Sequence, residues 1–153
     1  MRVPDLEEDQ KWYQASFRIV GDALHPDEIS EILGLQATRS GRKGEFAGSL
    51  LGRLSQISFW MMECPLDFRL PMEDHLKWLL ERLEPKADAI NALAERFSVE
   101  FFCGFSSGNG QGGFELDCTL LERLAKLKAF LVLDLYPPGP LETGEANAQA
   151  SWN

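Results

Sequence analysis

The stretch "SSGNGQGG", residues 106–113, carries the pattern in this sequence with the clearest link to chemistry. Gly108, Gly110 and Gly113 match the G-x-G-x-x-G fingerprint of dinucleotide-binding proteins, in which the glycines lead directly into a helix whose amides bind the pyrophosphate. Here "FELD" stands between Gly113 and the next predicted helix, so the helix amides would lie several residues away from the glycines. The pattern therefore predicts a turn between two strands, the second being "GFEL" at 113–116, and no bound cofactor.

A second candidate for chemistry is the connection at 36–53, "QATRSGRKGEFAGSLLGR", which lacks sustained apolar periodicity and is rich in glycine, serine and arginine. Arginine and lysine side chains, together with free backbone amides, bind phosphate and carboxylate groups. Arg39, Arg42 and Lys43 are therefore the candidate ligand-binding residues. The alternative is a solvated, mobile loop whose charges keep it out of the core.

The remaining side chains that could do chemistry form no recognisable constellation. The two histidines, His25 and His75, have no second metal ligand at helical spacing, and the sequence contains no CxxC pair. Cys64, Cys103 and Cys118 are odd in number and widely separated, which predicts buried thiols. The sequence thus predicts no catalytic residue, no metal site and no cofactor.

A possible interaction surface lies in "SQISFWMM", residues 55–62, a predicted strand that is apolar on both faces. Ile57, Phe59 and Met61 share one face, and Trp60 and Met62 share the other. If helices cover only one face, Trp60 and Met62 either lie beneath the loop at 36–53 or the extra helix pair, or form an exposed patch that binds a partner. That partner could be another copy of the chain.

Composition limits the classes of function. The chain has 153 residues, of which 44% are hydrophobic, which is enough for one core and too few for two ordinary domains. Its net charge of -9 repels phosphate backbones, which argues against nucleic-acid binding and favours a basic protein partner. The N-terminus has no signal-like apolar stretch and no apolar run approaches the length of a membrane span, so we expect a cytoplasmic protein without membrane contact.

Local patterns predict the elements that would position these residues. In "ALHPDEISEILGL", residues 23–35, His25 stands near the N-cap, Pro26 at the first helical position and Gly34 at the C-terminal end. Further strands are predicted at 11–20, 98–105 and 129–136, two short helices on either side of Pro85, and a last helix at 117–127. In the strand at 11–20, apolar residues alternate with polar ones and predict one buried face, formed by Tyr13, Ala15, Phe17 and Ile19. The first of the two short helices has an apolar stripe, formed by Leu76, Leu79, Leu80 and Leu83.

These elements predict an α+β fold with a ferredoxin-like plan of two β-α-β halves, a helical insertion at 72–97, and helices mainly on one face of the sheet. The leucine spacing of "ALHPDEISEILGL" coincides with that of "ELDCTLLERLAKL", which favours an internal repeat. We expect a flexible N-terminus at 1–10, a single domain at 11–136 and a disordered tail at 137–153.

Three segments together resemble a known bacterial family, the domain of unknown function 4279. They are "FRIVGDALHPDEISEILGL", the Trp-bearing "ISFWMM", and "FELDCTLLERLAKLKAFLVLDLY". The resemblance covers roughly residues 12–136 and implies a bacterial cytosolic domain, without implying any catalytic residue.

For function, the sequence favours a non-catalytic protein-binding module, of which an immunity-type role is one instance. The alternative is a binder of, or an enzyme acting on, a small anionic ligand held by the basic loop at 39–43.

Overall fold

The computed structural model describes residues 2–45 and 56–137 of the chain. The predicted disordered tail at 137–153 lies outside these residues apart from Pro137, and so does the predicted loop at 36–53 from residue 46 onward. In the described part of the chain, strands and helices of one α+β fold enclose a hydrophobic core.

Five strands form one mixed sheet. Their bounds are β1 Lys11–Gly21, β2 Arg39–Gly41, β3 Ser58–Glu63, β4 Ser98–Ser107 and β5 Phe130–Tyr136. The order across the sheet is β2-β3-β1-β4-β5, and all neighbours are antiparallel except β4 and β5, which are parallel. The alternation in "KWYQASFRIV" has the predicted result, since Ala15, Phe17 and Ile19 are fully buried while Arg18 is not.

The helices begin and end where the sequence signals indicate. Their bounds are α1 Pro26–Leu33, α2 Met72–Leu83, α3 Ala87–Leu93 and α4 Cys118–Ala125, with a 3-10 turn at Glu84–Lys86 between α2 and α3. His25 precedes α1 in an extended conformation, and Gly34 ends it in the left-handed region at φ 63°. Before α4, the Asp117 carboxylate accepts a hydrogen bond from the Leu120 amide at 2.8 Å, as an N-cap residue does.

The core lies between the helices and one face of the sheet. Odd-numbered residues of β1 and β4 and even-numbered residues of β3 point into it. The leucines of α2 that the sequence predicted to be buried are all inaccessible to solvent: Leu76, Leu79, Leu80 and Leu83. The opposite face of the central strands contributes no residue to this cluster, in keeping with helices that pack on one side.

The ferredoxin-like plan and the internal repeat are not confirmed. The strands on either side of α1, β1 and β2, are not neighbours, because β3 lies between them in the sheet, whereas the strands on either side of α4, β4 and β5, are parallel neighbours. The two parts of the chain therefore connect their strands differently, although their helices share a leucine spacing. The predicted strand at 113–116 is also wrong, because residues 111–117 have no regular structure and lead from β4 into α4.

Burial of His75 in α2 predicts a specific dependence of stability on pH. The ring is 0% exposed, and this desolvation lowers its pKa from the ordinary 6.5, although the Asp74 and Asp67 carboxylates act in the opposite direction. Because the unfolded chain takes up this proton more readily, the free energy of unfolding should fall as the pH drops below about 6.5 towards the lower pKa of the folded state. The His75→Phe variant should lose that part of the slope in denaturant titrations at a series of pH values.

His25→Gln, which replaces an exposed histidine, provides the matched control for loss of an imidazole. An unchanged slope in His75→Phe would show that the folded protein does not oppose protonation at this position.

Candidate functional site

The basic loop residues do not converge on a common point. Each cation is paired with a different carboxylate, and the three acids belong to β3, to α1 and to the turn after β1. The pairs are Arg39–Glu63 at 3.7 Å, Arg42–Asp27 at 3.1 Å and Lys43–Asp22 at 3.4 Å. An anion at this loop would have to compete with acids of the chain itself, although pairs this exposed are weak.

Part of the predicted loop is ordered by backbone contacts. Arg39 lies in the short strand β2, which pairs with β3, and the Lys43 amide donates to Ser58 Oγ at 2.9 Å. The segment therefore adds a short strand to the sheet beside β3. The first described range of the chain ends at Glu45.

Trp60 and Met62 lie in the core and not on the surface. Trp60 is fully buried, packs edge-on against Phe17 and donates from its indole nitrogen to Ser30 Oγ of α1 at 2.9 Å. Helix α1 thus covers Trp60, whereas the sequence analysis predicted cover by the loop at 36–53 or by the extra helix pair. A partner could reach Trp60 only if α1 moved away.

The thiols and carboxylates of the described residues offer little for catalysis. Burial raises the pKa of Cys103 to about 12 and also raises that of Cys64, so both remain protonated and unreactive at neutral pH. Cys118, predicted to be buried, is exposed at the first position of α4. Within residues 2–45 and 56–137, no three His, Cys, Asp or Glu side chains are grouped closely enough to hold a metal ion.

The helix-free face of the sheet contains one partly buried ion pair. Arg18 of β1 donates to Glu100 of β4 at 2.6 Å, and its guanidinium lies 4.0 Å from the centre of the Phe102 ring. Glu100 also accepts from Ser98 Oγ at 3.2 Å. These contacts balance the two charges, although the buried Nε of Arg18 has no hydrogen-bond partner among the described residues. The arrangement therefore links β1 to β4 and leaves little charge for a ligand.

The glycine-rich segment forms the connection between β4 and α4. At Gly108 the N-terminal segment passes so closely that a Cβ atom would lie 1.9 Å from the Glu7 carbonyl oxygen. Gly110 and Gly112 have positive φ values of 74° and 127°. The helix starts only at Cys118, so its amides do not meet the glycines as a dinucleotide fingerprint requires.

A concave apolar pocket of about 470 Å³ lies at the carboxyl ends of the parallel strands β4 and β5. The glycine-rich segment forms one wall, and the helix side of β5 forms another. Its apolar lining includes Phe105, Phe114, Leu133 and Leu135. The volume is in the range of sites that bind small molecules.

The strand β5 lies at the end of the sheet and exposes apolar side chains. Among the described strands it pairs only with β4, so its outer backbone edge has no strand beside it. Leu131, Leu133 and Leu135 point to the helix side and are 41%, 54% and 66% exposed, and Phe130 on the other side is 66% exposed. Asp134 is the one charged residue of this strand. Native proteins seldom leave an apolar edge of this kind uncovered.

A family model, described as a domain of unknown function (DUF4279), matches residues 10–138. The chain belongs to the DUF4279 family. The match covers every strand and helix of the structure, in agreement with the resemblance carried by the three sequence segments. The description of the DUF4279 model names no activity, so the proposed function rests on the surfaces described above.

Comparison of this DUF4279 domain with curated proteins and with solved structures gives no match. No helix in the described ranges has the length and apolar character needed to cross a lipid bilayer.

The ion pairs of the basic loop predict a small effect when the three cations are removed together. The side chains are about half exposed, so replacing Arg39, Arg42 and Lys43 by Ala should lower the free energy of unfolding by about 1 kcal/mol or less. Inorganic phosphate should give the wild type and the triple variant the same small change in Tm in a thermal-shift assay.

The Lys128→Ala variant, which removes an exposed pair with Glu95 outside the loop, is the control for loss of a surface cation. Stabilisation by phosphate that occurs in the wild type and in Lys128→Ala but disappears in the triple variant would instead support an anion site at 39–43.

Proposed function

We propose that this DUF4279 domain is a non-catalytic protein-binding module, and that its contact surface is the exposed edge strand β5. The observation that carries the proposal is the combination of a backbone edge to which no described strand is paired and a row of exposed leucines on a strand that has one charged residue. A partner that adds an extended strand to this edge would satisfy the backbone groups and cover the leucines at the same time.

The geometry of β5 favours strand addition over docking on a helix. All seven residues of β5 pair with β4 in a continuous register from Phe130 opposite Glu100 to Tyr136 opposite Ser106. One edge of β5 is thus paired with β4 along its whole length, and the other edge is the one to which a partner strand would add. Leu131 and Leu133 would then pack beside alternate side chains of the added strand.

The charge of the chain favours a basic partner. A net charge of -9 attracts a positively charged protein over distances of about one Debye length, while the apolar strand supplies the short-range contact. Association should therefore be fast at low ionic strength and slow down as salt is added. An immunity-type role, in which the partner is a toxin, is one form of this proposal.

The alternative function, a small anionic ligand held by Arg39, Arg42 and Lys43, has less support. Each of these cations is already paired with a carboxylate of the chain, so binding would require the exchange of existing ion pairs. The thermal-shift experiment with phosphate, described above, tests this alternative.

The Leu131→Lys variant tests the proposed surface, because Leu131 is exposed on β5 and does not line the neighbouring pocket. A lysine there should weaken partner binding by about 2 kcal/mol or more, since its charge would be buried against the added strand. Wild type and variant are immobilised and exposed to extract from the native host at low and high salt, and the retained proteins are identified.

Leu121→Lys is the matched control, since Leu121 is an exposed leucine of α4 with 45% accessibility, close to the 41% of Leu131. The proposal predicts a basic protein that the wild type and Leu121→Lys retain at low salt and that Leu131→Lys does not. The same retained set for all three proteins would contradict it. So would a purified wild type that is a dimer and becomes a monomer in Leu131→Lys, because a second copy would then occupy the edge.

A further inference from the structure

The pocket at the end of β4 and β5 has an aromatic floor and open walls. Phe105 and Phe114 lie with ring centres 6.2 Å apart, and Tyr13 packs against both at 5.5 and 6.5 Å. Gly113 lines the pocket, and a Cβ atom there would meet no heavy atom within 4 Å. A side chain at Gly113 would therefore have room on this wall of the pocket.

A cation without an ion-pair partner among the described residues lies beside Gly112, which lines this pocket. Lys11 stands opposite Ser107 in the β1–β4 register, on the same side of the sheet as Phe105. Its Cε and Nζ atoms would lie 3.0 and 3.4 Å from a Cβ atom on Gly112, and the Phe105 ring would lie 3.3 Å from the same point. Lys11 takes part in none of the ion pairs of the described residues, so its charge is available to a ligand.

The backbone beside Lys11 adds hydrogen-bond donors. In the described part of the chain, the Gly110 amide donates to the Ser107 carbonyl and the Gln111 amide to Asn109 Oδ1, whereas the amides of Gly112 and Gly113 have no protein acceptor. Amides next to a lysine suit a singly charged oxyanion. The pocket therefore offers aromatic side chains for the apolar part of a ligand, and Lys11 with the neighbouring amides for its carboxylate.

We infer that this pocket binds a small molecule with an apolar body and a single carboxylate, the body lying on Phe105, Phe114 and Leu135 and the carboxylate near Lys11. The charge complementarity of one lysine favours a monoanion over a phosphate group, for which several cations are the usual partners. The site shares Leu133 and Leu135 with the proposed partner surface, whereas Lys11 and Gly113 belong to the pocket site alone.

Decanoate is a suitable probe, with decanol as the same chain without charge and acetate as the same head group without the chain. Calorimetric titration of the wild type should show decanoate binding about tenfold or more tightly than decanol, and no binding of acetate. In Lys11→Gln the two long-chain probes should bind equally. In Gly113→Leu, which fills the open wall, decanoate binding should weaken about tenfold or more.

Two controls separate these effects from general changes. Lys126→Gln removes an exposed lysine of the segment after α4, and Ala125→Leu adds an exposed leucine at the end of α4, so both should bind decanoate like the wild type. Equal affinity for decanoate in the wild type and in Gly113→Leu would overturn the inference, as would a preference for decanoate over decanol that survives Lys11→Gln. Partner capture by Gly113→Leu should remain normal, so a failure of this site can be told apart from a failure at β5.

Discussion

The parallel pairing of β4 with β5 is the constraint on which both candidate surfaces depend. Parallel neighbours cannot be joined by a tight turn, so the chain has to leave the carboxyl end of β4, cross over through α4 and return to the start of β5. That path places the glycine-rich segment beside the carboxyl end of β5, which is the last strand at this end of the sheet among the described residues.

Local sequence signals predicted the elements well because each signal acts within a few residues. His25 and Gly34 bound α1 through their own backbone conformations, and Asp117 caps α4 through a hydrogen bond to a residue three positions away. Period-2 alternation identified β1 and the leucines of α2 identified its buried face, since burial of one face is decided by spacing alone.

The same local signals do not predict which strands and side chains come together in the folded chain. In β3 both faces are apolar, so the sequence could not say that Trp60 would be covered by α1 while Met61 would lie on the helix-free side. The carboxylate partners of Arg42 and Lys43 come from residues near α1, which only the folded chain brings close. The three leucines of β5 fit a buried strand equally well, and their exposure follows from a strand order that no local pattern encodes.

The central claim is that the outer edge of β5 is open in the isolated protein, and residue-resolved amide hydrogen exchange tests it most directly. Along an edge strand, alternate amides point to the neighbouring strand and to solvent. The account predicts that amides between Phe130 and Tyr136 alternate between slow exchange, where they bond to β4, and fast exchange, where they face outward. Uniformly slow exchange along β5 would contradict it, because the edge would then already be covered.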